Sequence, residues 1–316
     1  MRKKVLFFLE RSYKNYVSGE KIATQLRISR MAVSKAVAAL KREGAIIESQ
    51  TAKGYMLKRS PDRLYPEAIA AHLSSSRIRD IHTHALIGST NEEAKKLAAE
   101  GALHGTIVCA EEQSKGRGRY GREFFSPSDS GIYMSIILKP QELNDDILYT
   151  VAAAVAVRRV ISRYNDHALI KWVNDIYIDE KKVCGILCEA VSELESGHIG
   201  SVICGVGINL TRPNGDFPEE LKTKAGAVSD KQINRAEIIA QLADTLLDVM
   251  DEDMDAVISE YEKYMMLCGR EIFYSVNGER KFAKVIGVDN RGGLIVKDPY
   301  GNSETLRSGE VSLEKF

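Results

Sequence analysis

The first sixty residues alternate apolar and polar positions with the period of a helix. This period predicts helices over residues 5–9, 21–26 and 30–43. Ser29 precedes the third helix and is a suitable cap, while Gly44 follows its last turn. Two short helices joined by a tight turn are typical of a helix-turn-helix unit, in which the second helix enters the major groove of DNA.

A hairpin is predicted directly after these helices. Residues 46–49 and 55–58 have the pattern of short strands, and a turn at 51–54 joins them. This hairpin would be the wing of a winged helix-turn-helix domain. The side chains expected to contact DNA, on the third helix and at the tip of the wing, are Arg30, Ser34, Lys35 and Lys53. The alternatives are a helical packing domain with a solvated basic surface, or a winged helix that binds protein.

The middle of the chain changes to strand-like apolar runs interspersed with helical ones. Strands are predicted over residues 106–110, 132–138, 176–178, 183–191 and 201–210. Helices are predicted over residues 149–164, 237–250 and 254–265, and an irregular loop over 211–218. Because strands and helices alternate too irregularly for a doubly wound parallel sheet, the pattern indicates an α+β domain with a mixed or antiparallel sheet.

The tail of the chain has a pattern of short strands. Residues 271–276, 281–288 and 293–297 are predicted strands separated by Gly- and Asn-containing turns. They indicate a small barrel of five or six strands, of the SH3 kind. With a linker at Ser60-Pro61-Asp62, we expect three domains, at 1–62, 63–268 and 269–316, which agrees with a length of 316 residues.

The net charge of zero hides a segregation of charge along the chain. Residues 1–60 contain 14 Lys and Arg against four Asp and Glu, and the total of 44 of each leaves 30 against 40 for the remainder. A basic N-terminal domain attached to an acidic remainder of the chain indicates that the N-terminal domain contacts a polyanion.

The sequence and its composition argue against several classes of protein. No apolar stretch approaches the roughly 20 residues that span a bilayer. Glu10-Arg11 interrupts the apolar run after the basic start, which argues against a secretory signal. The five cysteines are odd in number and scattered, so we expect reduced thiols, no zinc site and a cytoplasmic location.

The segment Gly116-Arg117-Gly118-Arg119-Tyr120-Gly121-Arg122 carries the strongest chemical signal. Glycines let a backbone approach an anion closely, and arginines supply forked, permanently charged donors. Such a loop, here called the Gly/Arg loop, suits a polyphosphate or a carboxylate undergoing activation. It lacks the Lys-Ser/Thr ending of a Walker loop. A disordered RNA-binding segment is the alternative, although the loop lies between predicted strands.

A second cluster is Lys171-Trp172-Val173-Asn174-Asp175, followed by Lys182. It contains the single tryptophan of the chain, an amide, and a carboxylate suited to Mg²⁺. If a hairpin joins the flanking strands, the side chains of Asp175 and Lys182 lie close together at the opening of one pocket. The alternative is a surface turn with solvated charges.

These motifs together resemble those of the bifunctional biotin–protein ligase and biotin-operon repressor family. The Gly/Arg loop and the 171–175 segment are similar to two motifs of that family. Ser89-Thr90-Asn91 and Gly205-Val206-Gly207-Ile208-Asn209 match two others, in the same order and over nearly the whole chain. Val173 is a departure, because the family usually has proline there.

The resemblance implies a two-step reaction. A biotin carboxylate attacks the α-phosphate of ATP, and a lysine of the biotin carboxyl carrier protein of acetyl-CoA carboxylase then displaces AMP from biotinyl-5'-AMP. It also implies a ligase domain similar to class II aminoacyl-tRNA synthetases, binding to operator DNA, and a homodimer when the adenylate is bound.

Roles for individual residues follow from the resemblance alone. Biotin would be held by Ser89, Thr90, Asn91, Gln113, Arg117, Gly118, Arg119 and Lys182. ATP would be held by Arg122, Lys171, Trp172, Asn174 and Asn209, with Asp175 as the ligand of Mg²⁺. Arg119, Lys182 and Asp175 would act in catalysis, and Arg119 would also retain the adenylate.

Three other functions remain open at this point. Lipoate–protein ligases share the catalytic fold, although the Gly/Arg loop argues against them. A biotin-sensing repressor with an inactive ligase domain is the second, and the presence of Arg119, Asp175 and Lys182 argues against it. The third is a ligase whose N-terminal domain does not bind DNA, which the charge balance opposes only weakly.

Overall fold

The structure is a computed structural model that describes residues 1–61, 63–139, 146–192, 199–276, 279–307 and 311–312. The last residue of the predicted linker, Asp62, lies outside the described residues. In the described part of the chain, no helix combines the length and the apolar character needed to cross a bilayer.

The N-terminal domain has the predicted helix-turn-helix and hairpin. Its elements are α1 (Arg2–Arg11), β1 (Tyr16–Val17), α2 (Gly19–Leu26), α3 (Arg30–Arg42), β2 (Ile46–Gln50) and β3 (Gly54–Arg59). The Ser18 and Ser29 hydroxyls cap α2 and α3 by accepting hydrogen bonds from the amides of Lys21 (3.0 Å) and Ala32 (3.1 Å). These caps satisfy amides that would otherwise lack partners at the helix starts, and so they fix where both helices begin.

The central domain contains a seven-stranded sheet with helices on both faces. Its first elements are α4 (Pro66–His72), β4 (Ile81–Ile87), α5 (Thr90–Ala99), β5 (Ile107–Gln113), β6 (Gly131–Leu138) and α6 (Asp146–Ile161). The others are β7 (Leu169–Lys171), β8 (Asp175–Ile178), β9 (Lys181–Ser192), β10 (Ile199–Asn209), α7 (Glu219–Lys222), α8 (Arg235–Met250) and α9 (Met254–Lys263). The order β4-β5-β6-β10-β9-β8-β7, with only β4 and β5 parallel among the described strands, confirms a mixed sheet.

Strand β6 lies inside this sheet, between β5 and β10, and is buried along its whole length. Alternate side chains point to opposite faces, so Ile136 joins the main core while Ile137 joins a small core with Ala94 of α5. The main core is dominated by α6, whose residues 151–157 are completely buried. A helix that is apolar all round is expected where both of its sides are covered.

The sequence pattern missed β4, α5 and β7. Strand β4 has histidines at alternate positions, and β7 has only three residues, so neither shows a clear apolar pattern. Helix α8 begins two residues before the predicted start, because the Asn234 side chain accepts hydrogen bonds from the amides of Ala236 and Glu237.

The C-terminal domain is a five-stranded antiparallel sheet among the described residues. Its strands are β11 (Glu271–Val276), β12 (Glu279–Val288), β13 (Leu294–Lys297), β14 (Ser303–Leu306) and β15 (Val311–Ser312), in the order β14-β13-β12-β11-β15. The three predicted strands are confirmed, and two shorter ones are added.

A buried polar cluster joins the N-terminal and central domains. The Glu10 side chain is inaccessible to solvent, and its carboxylate accepts hydrogen bonds from Ser60 Oγ (2.6 Å) and Asn234 Nδ2 (2.9 Å). His72 Nε2 of α4 lies 2.9 Å from the same carboxylate. Because Glu10 and Asn234 are buried and every group of the cluster is paired, the cluster favours one orientation of the two domains.

We expect Asn234→Ala to lower the free energy of unfolding by about 2 kcal/mol, because it removes both the cap of α8 and a donor to the buried Glu10 carboxylate. Urea denaturation measures this change. Asp253→Ala is the matched control: Asp253 caps α9 through Ala256 at 3.2 Å, but it is exposed, so only the cap is lost, at about 1 kcal/mol. Equal losses in both variants would contradict a stabilising role for the cluster.

Candidate functional site

A cleft of about 450 Å³ lies between the central sheet and strands β11 and β12, and its size suits a cofactor or small substrate. Most of the residues predicted for the site line it. They are Ser89, Thr90, Asn91, Gln113, Arg117, Gly118, Arg119, Arg122, Lys171, Trp172, Asn174, Asp175 and Lys182. Asn209 is the exception: it lies at the end of β10 and is not brought into the lining.

One end of the cleft is a network of polar side chains. Gln113 Oε1 accepts hydrogen bonds from the Thr90 amide at 2.8 Å and from the Thr90 hydroxyl at 3.2 Å. Ser135 Oγ lies 2.8 Å from Thr90 Oγ1 and 2.6 Å from Asn91 Oδ1, and Asn91 Nδ2 donates to Glu189 at 2.7 Å. Polar groups that fix one another in this way present donors and acceptors in a set geometry.

Glycines of β10 form the floor of the cleft because larger residues would not fit. A Cβ atom on Gly205 would lie 2.0 Å from Asn91 Oδ1, and one on Gly207 would lie 2.6 Å from the Phe124 ring. The glycines therefore let Asn91 and Phe124 contact the strand directly.

We expect Gly205→Ala to lower the free energy of unfolding by about 2 kcal/mol, because the added methyl must displace the buried Asn91 side chain. Gly88→Ala is the control, since no atom lies within 4 Å of the Cβ that it would add. Denaturation of the two variants side by side tests the packing; an unchanged Gly205→Ala protein would show that Asn91 does not occupy this position.

The Gly/Arg loop is an ordered hairpin. The Phe124 amide donates to the Gly116 carbonyl at 2.9 Å, and the Gly118 amide donates to the Arg122 carbonyl at 2.8 Å. Tyr120, at the turn, has a φ of 58°. The Arg119 guanidinium lies 5.1 Å from the centre of the Tyr120 ring, a contact that orients the charge at the cleft. This order disagrees with the disordered RNA-binding alternative.

Asp175 and Lys182 form an ion pair inside the cleft. Strands β8 and β9 are joined as a hairpin, and Lys182 Nζ lies 2.7 Å from Asp175 Oδ1, as the predicted convergence required. Beyond this pair, Asp175 Oδ1 is shielded from solvent and has no hydrogen-bond partner in the described chain.

A Mg²⁺ ion fits this carboxylate. The described residues contain no group of three His, Cys, Asp or Glu side chains that could hold a metal on its own. Mg²⁺ commonly binds through one or two carboxylates together with the phosphates of a substrate, so Asp175 is a suitable ligand beside a bound polyphosphate.

The loop 172–174 is held by buried hydrogen bonds, and its Trp172–Val173 peptide bond is cis. The Trp172 indole donates to the Gly292 carbonyl of the C-terminal domain at 3.0 Å. The Asn174 amide donates to the Ile186 carbonyl of β9 at 2.8 Å. Both side chains therefore donate a hydrogen bond to a backbone carbonyl, and both Trp172 and Asn174 line the cleft.

Burial raises the pKa of several groups in the central domain. It raises the pKa of Tyr177 to about 12, with a further contribution from the Asp175 carboxylate. It also raises the pKa of the Cys184 and Cys109 thiols, which makes them poor nucleophiles. Tyr177 and these two cysteines do not line the cleft, where the positive charge comes from arginine and lysine side chains.

Sequence reasoning missed several residues of the lining. Phe124 lies two residues after the Gly/Arg loop, and its aromatic character was the available signal. The C-terminal domain contributes Phe273, Tyr274, Ser275, Arg280 and Val311. Nothing in the tail sequence indicated these residues, because their position depends on how the domains pack.

The residues predicted to contact DNA are all exposed. Arg30, Ser34 and Lys35 are exposed on α3, and Lys53 is exposed at the turn between β2 and β3. The Lys53 ammonium lies 5.5 Å from the centre of the Tyr16 ring. A helix and a hairpin tip with exposed cations have the arrangement that winged helices use on DNA.

Comparisons with known proteins match both parts of the chain. The Biotin/lipoate A/B protein ligase family matches residues 84–209, and a family described as HTH domain matches residues 2–56. Bifunctional ligase/repressor BirA of Bacillus subtilis strain 168 is 32% identical over 323 residues, covering 99% of this chain and 98% of that protein. The Escherichia coli K12 protein of that name is 26% identical over 309 residues, covering 94% and 92%.

A solved structure agrees with these relatives. The chain is similar to the biotin protein ligase from Aquifex aeolicus in complex with biotin and ATP, with a TM-score of 0.64 and 25% identity. This similarity covers 75% of the present chain and 100% of the Aquifex chain.

Proposed function

This chain belongs to the family of bifunctional biotin–protein ligases and repressors, and from that membership we propose that it ligates biotin to a carrier protein and represses transcription as a DNA-binding protein. One observation carries the ligase proposal: a single cleft brings the polar Ser89–Gln113 network together with Arg119, Lys182 and Asp175.

The biotin side of the cleft is proposed at the polar network. Thr90, Asn91 and Gln113 present fixed donors and acceptors to a small polar ring, Ser89 lines the cleft with them, and Phe124 covers the glycine floor beside them. The remaining residues proposed to hold biotin, next to its carboxylate, are Arg117, Gly118, Arg119 and Lys182.

The reaction needs positive charge where negative charge accumulates. The biotin carboxylate attacks the α-phosphate of ATP and pyrophosphate leaves; the ε-amine of the carrier lysine then attacks the adenylate carbonyl and AMP leaves. Arg119 and Lys182 stabilise the charge that develops in both steps, because they are held in place before the reaction begins. The Arg119 side chain also retains the adenylate.

The ATP side is proposed along the loops on the other side of the ion pair. Arg122, Lys171, Trp172 and Asn174 line the cleft there, and Asn209 is proposed with them although it lies outside the lining. Asp175 would hold Mg²⁺, which when bound neutralises phosphate charge.

The repressor function is proposed for the N-terminal domain, through Arg30, Ser34, Lys35 and Lys53. We propose operator DNA of biotin genes and the biotin carboxyl carrier protein of acetyl-CoA carboxylase as partners, in the cytoplasm. The adenylate-bound chain would form a homodimer whose two α3 helices reach two half-sites. Sedimentation with and without biotin and ATP tests this; an unchanged monomer population would contradict it.

The finer description of the fold is also a proposal. The domain limits are 1–62, 63–268 and 269–316; the central domain is similar to class II synthetases, and the C-terminal sheet is a barrel of the SH3 kind. The five antiparallel strands and the mixed sheet support it. Limited proteolysis near each limit, followed by mass analysis of the fragments, tests the domain limits.

Transfer of labelled biotin tests the ligase function. We expect the full chain, with ATP and Mg²⁺, to label a biotin carboxyl carrier domain, and to leave unlabelled a carrier whose target lysine is replaced by arginine. Lipoate is supplied in a parallel reaction as the alternative carboxylic acid substrate. Tight binding of biotin without transfer would instead indicate a biotin-sensing repressor, and transfer of lipoate would indicate a lipoate ligase.

A further inference from the structure

Tyr261 of α9 is among the largest side chains that have no exposure to solvent. A buried phenol hydroxyl needs an acceptor, because leaving it unpaired costs free energy. Tyr261 Oη donates to the Val173 carbonyl at 3.1 Å, across a separation of 88 residues. Since Val173 is the middle residue of the loop between β7 and β8, α9 holds a loop whose neighbouring residues line the cleft.

All three residues of this loop are anchored to different elements. Trp172 is bonded to the C-terminal domain, Val173 to α9, and Asn174 to β9. The segment after α9 supports the same arrangement, because Ile170 of β7 exchanges backbone hydrogen bonds with residues 264 and 266, both at 2.9 Å. Movement of the loop would therefore break at least one buried bond.

Tyr261 does not itself line the cleft, but it interacts electrostatically with Asp175 and Arg119, which do. Burial raises its pKa well above the ordinary value, the Asp175 carboxylate raises it further, and Arg119 lowers it. The hydroxyl thus remains a proton donor to Val173, and its influence on the reaction must pass through the loop.

We propose that Tyr261 is a positioning residue for ligation, holding Asn174 and Asp175 in place through the Val173 carbonyl. This inference rests on the proposed ligase function and extends it to a residue outside the cleft. Without the hydroxyl, the Val173 carbonyl loses its partner and the loop shifts. Displacement of a reacting group by about 1 Å costs on the order of a hundredfold in rate, so a smaller shift still has a measurable effect.

Tyr261→Phe removes the hydroxyl and keeps the ring. We expect kcat/KM for ATP in adenylate formation to fall about tenfold or more, with KM for biotin within about twofold of the original value. Tyr65→Phe is the matched control: Tyr65 is 3% exposed and donates to Glu43 at 2.7 Å, but it lies at the start of α4, away from the cleft. This control should leave both constants unchanged.

A second measurement separates positioning from loss of stability. Amide hydrogen exchange at residues 172–176 should become faster in Tyr261→Phe and not in Tyr65→Phe, at a temperature below both melting points. Equal kinetics and equal exchange in the two variants would overturn the proposal. If the unaltered chain transfers no biotin, the proposed ligase function is contradicted independently of Tyr261. ATP affinity and amide hydrogen exchange, compared between the two variants, still test the role of Tyr261 in that case.

Discussion

Lys182→Met is expected to lower biotin ligation on the order of 10²- to 10³-fold, because it removes the ammonium that Asp175 holds in the cleft. Lys182 Nζ lies 2.7 Å from Asp175 Oδ1, where the biotin carboxylate and the α-phosphate are proposed to meet. The substitution also leaves the largely buried Asp175 carboxylate without its partner, so an uncompensated negative charge remains where the ammonium is lost. Transfer of labelled biotin to the carrier domain measures the loss.

Lys181→Met is the matched control for this prediction. Lys181 is adjacent in β9 and has the same charge, but it does not line the cleft. It should retain nearly full activity, whereas Lys182→Arg should recover part of the lost activity by restoring the charge with a different shape. Full activity of Lys182→Met would show that the ion pair is structural and that the chemistry lies elsewhere.

The double substitution Arg30→Ala and Lys35→Ala is expected to weaken DNA binding on the order of a hundredfold or more while leaving ligation unchanged. Both side chains are exposed on α3, the helix proposed to enter the major groove, and neither is near the cleft. The measurement is fluorescence anisotropy with DNA selected from a random library by the full chain in the presence of biotin and ATP. The salt dependence of the DNA affinity should also weaken, since the variant releases fewer counterions from the DNA when it binds.

Removal of two charges elsewhere controls for the change in net charge. Lys96→Ala with Lys231→Ala changes exposed lysines of the central domain and should leave both DNA binding and ligation intact. Equal losses of DNA binding in the two double variants would mean that the attraction is non-specific. Unchanged binding in the α3 variant would favour a ligase whose N-terminal domain does not bind DNA.

The parts of the site that could be predicted are those formed by neighbours in the sequence. The Gly/Arg loop is seven consecutive residues, so its charge and its freedom to turn are visible without the fold. Asp175 and Lys182 converge because one hairpin joins β8 to β9. The helix-turn-helix was predictable for the same reason, since the Ser29 hydroxyl caps α3 by accepting a hydrogen bond from the amide three residues later.

Other parts depended on contacts between distant segments. Asn91 fits against Gly205 only because α5 and β10 pack together, and Trp172 is bonded to Gly292 across a separation of 120 residues. Arg280 and its neighbours enter the cleft through the placement of the C-terminal domain. Tyr261 had no signal in the sequence, because its partner is a backbone carbonyl rather than a side chain.

The sequence alone therefore determined the helix-turn-helix, the α+β class, the charge of the N-terminal domain and the chemical groups of the ligase site. Backbone preference, capping and side-chain charge act over a few residues, so a short window contains them. Only the tertiary structure decided the strand order, the three anchors of the 172–174 loop and the contribution of the C-terminal domain to the cleft. These depend on which apolar faces are buried against one another, and that choice is made by the packing of the whole chain.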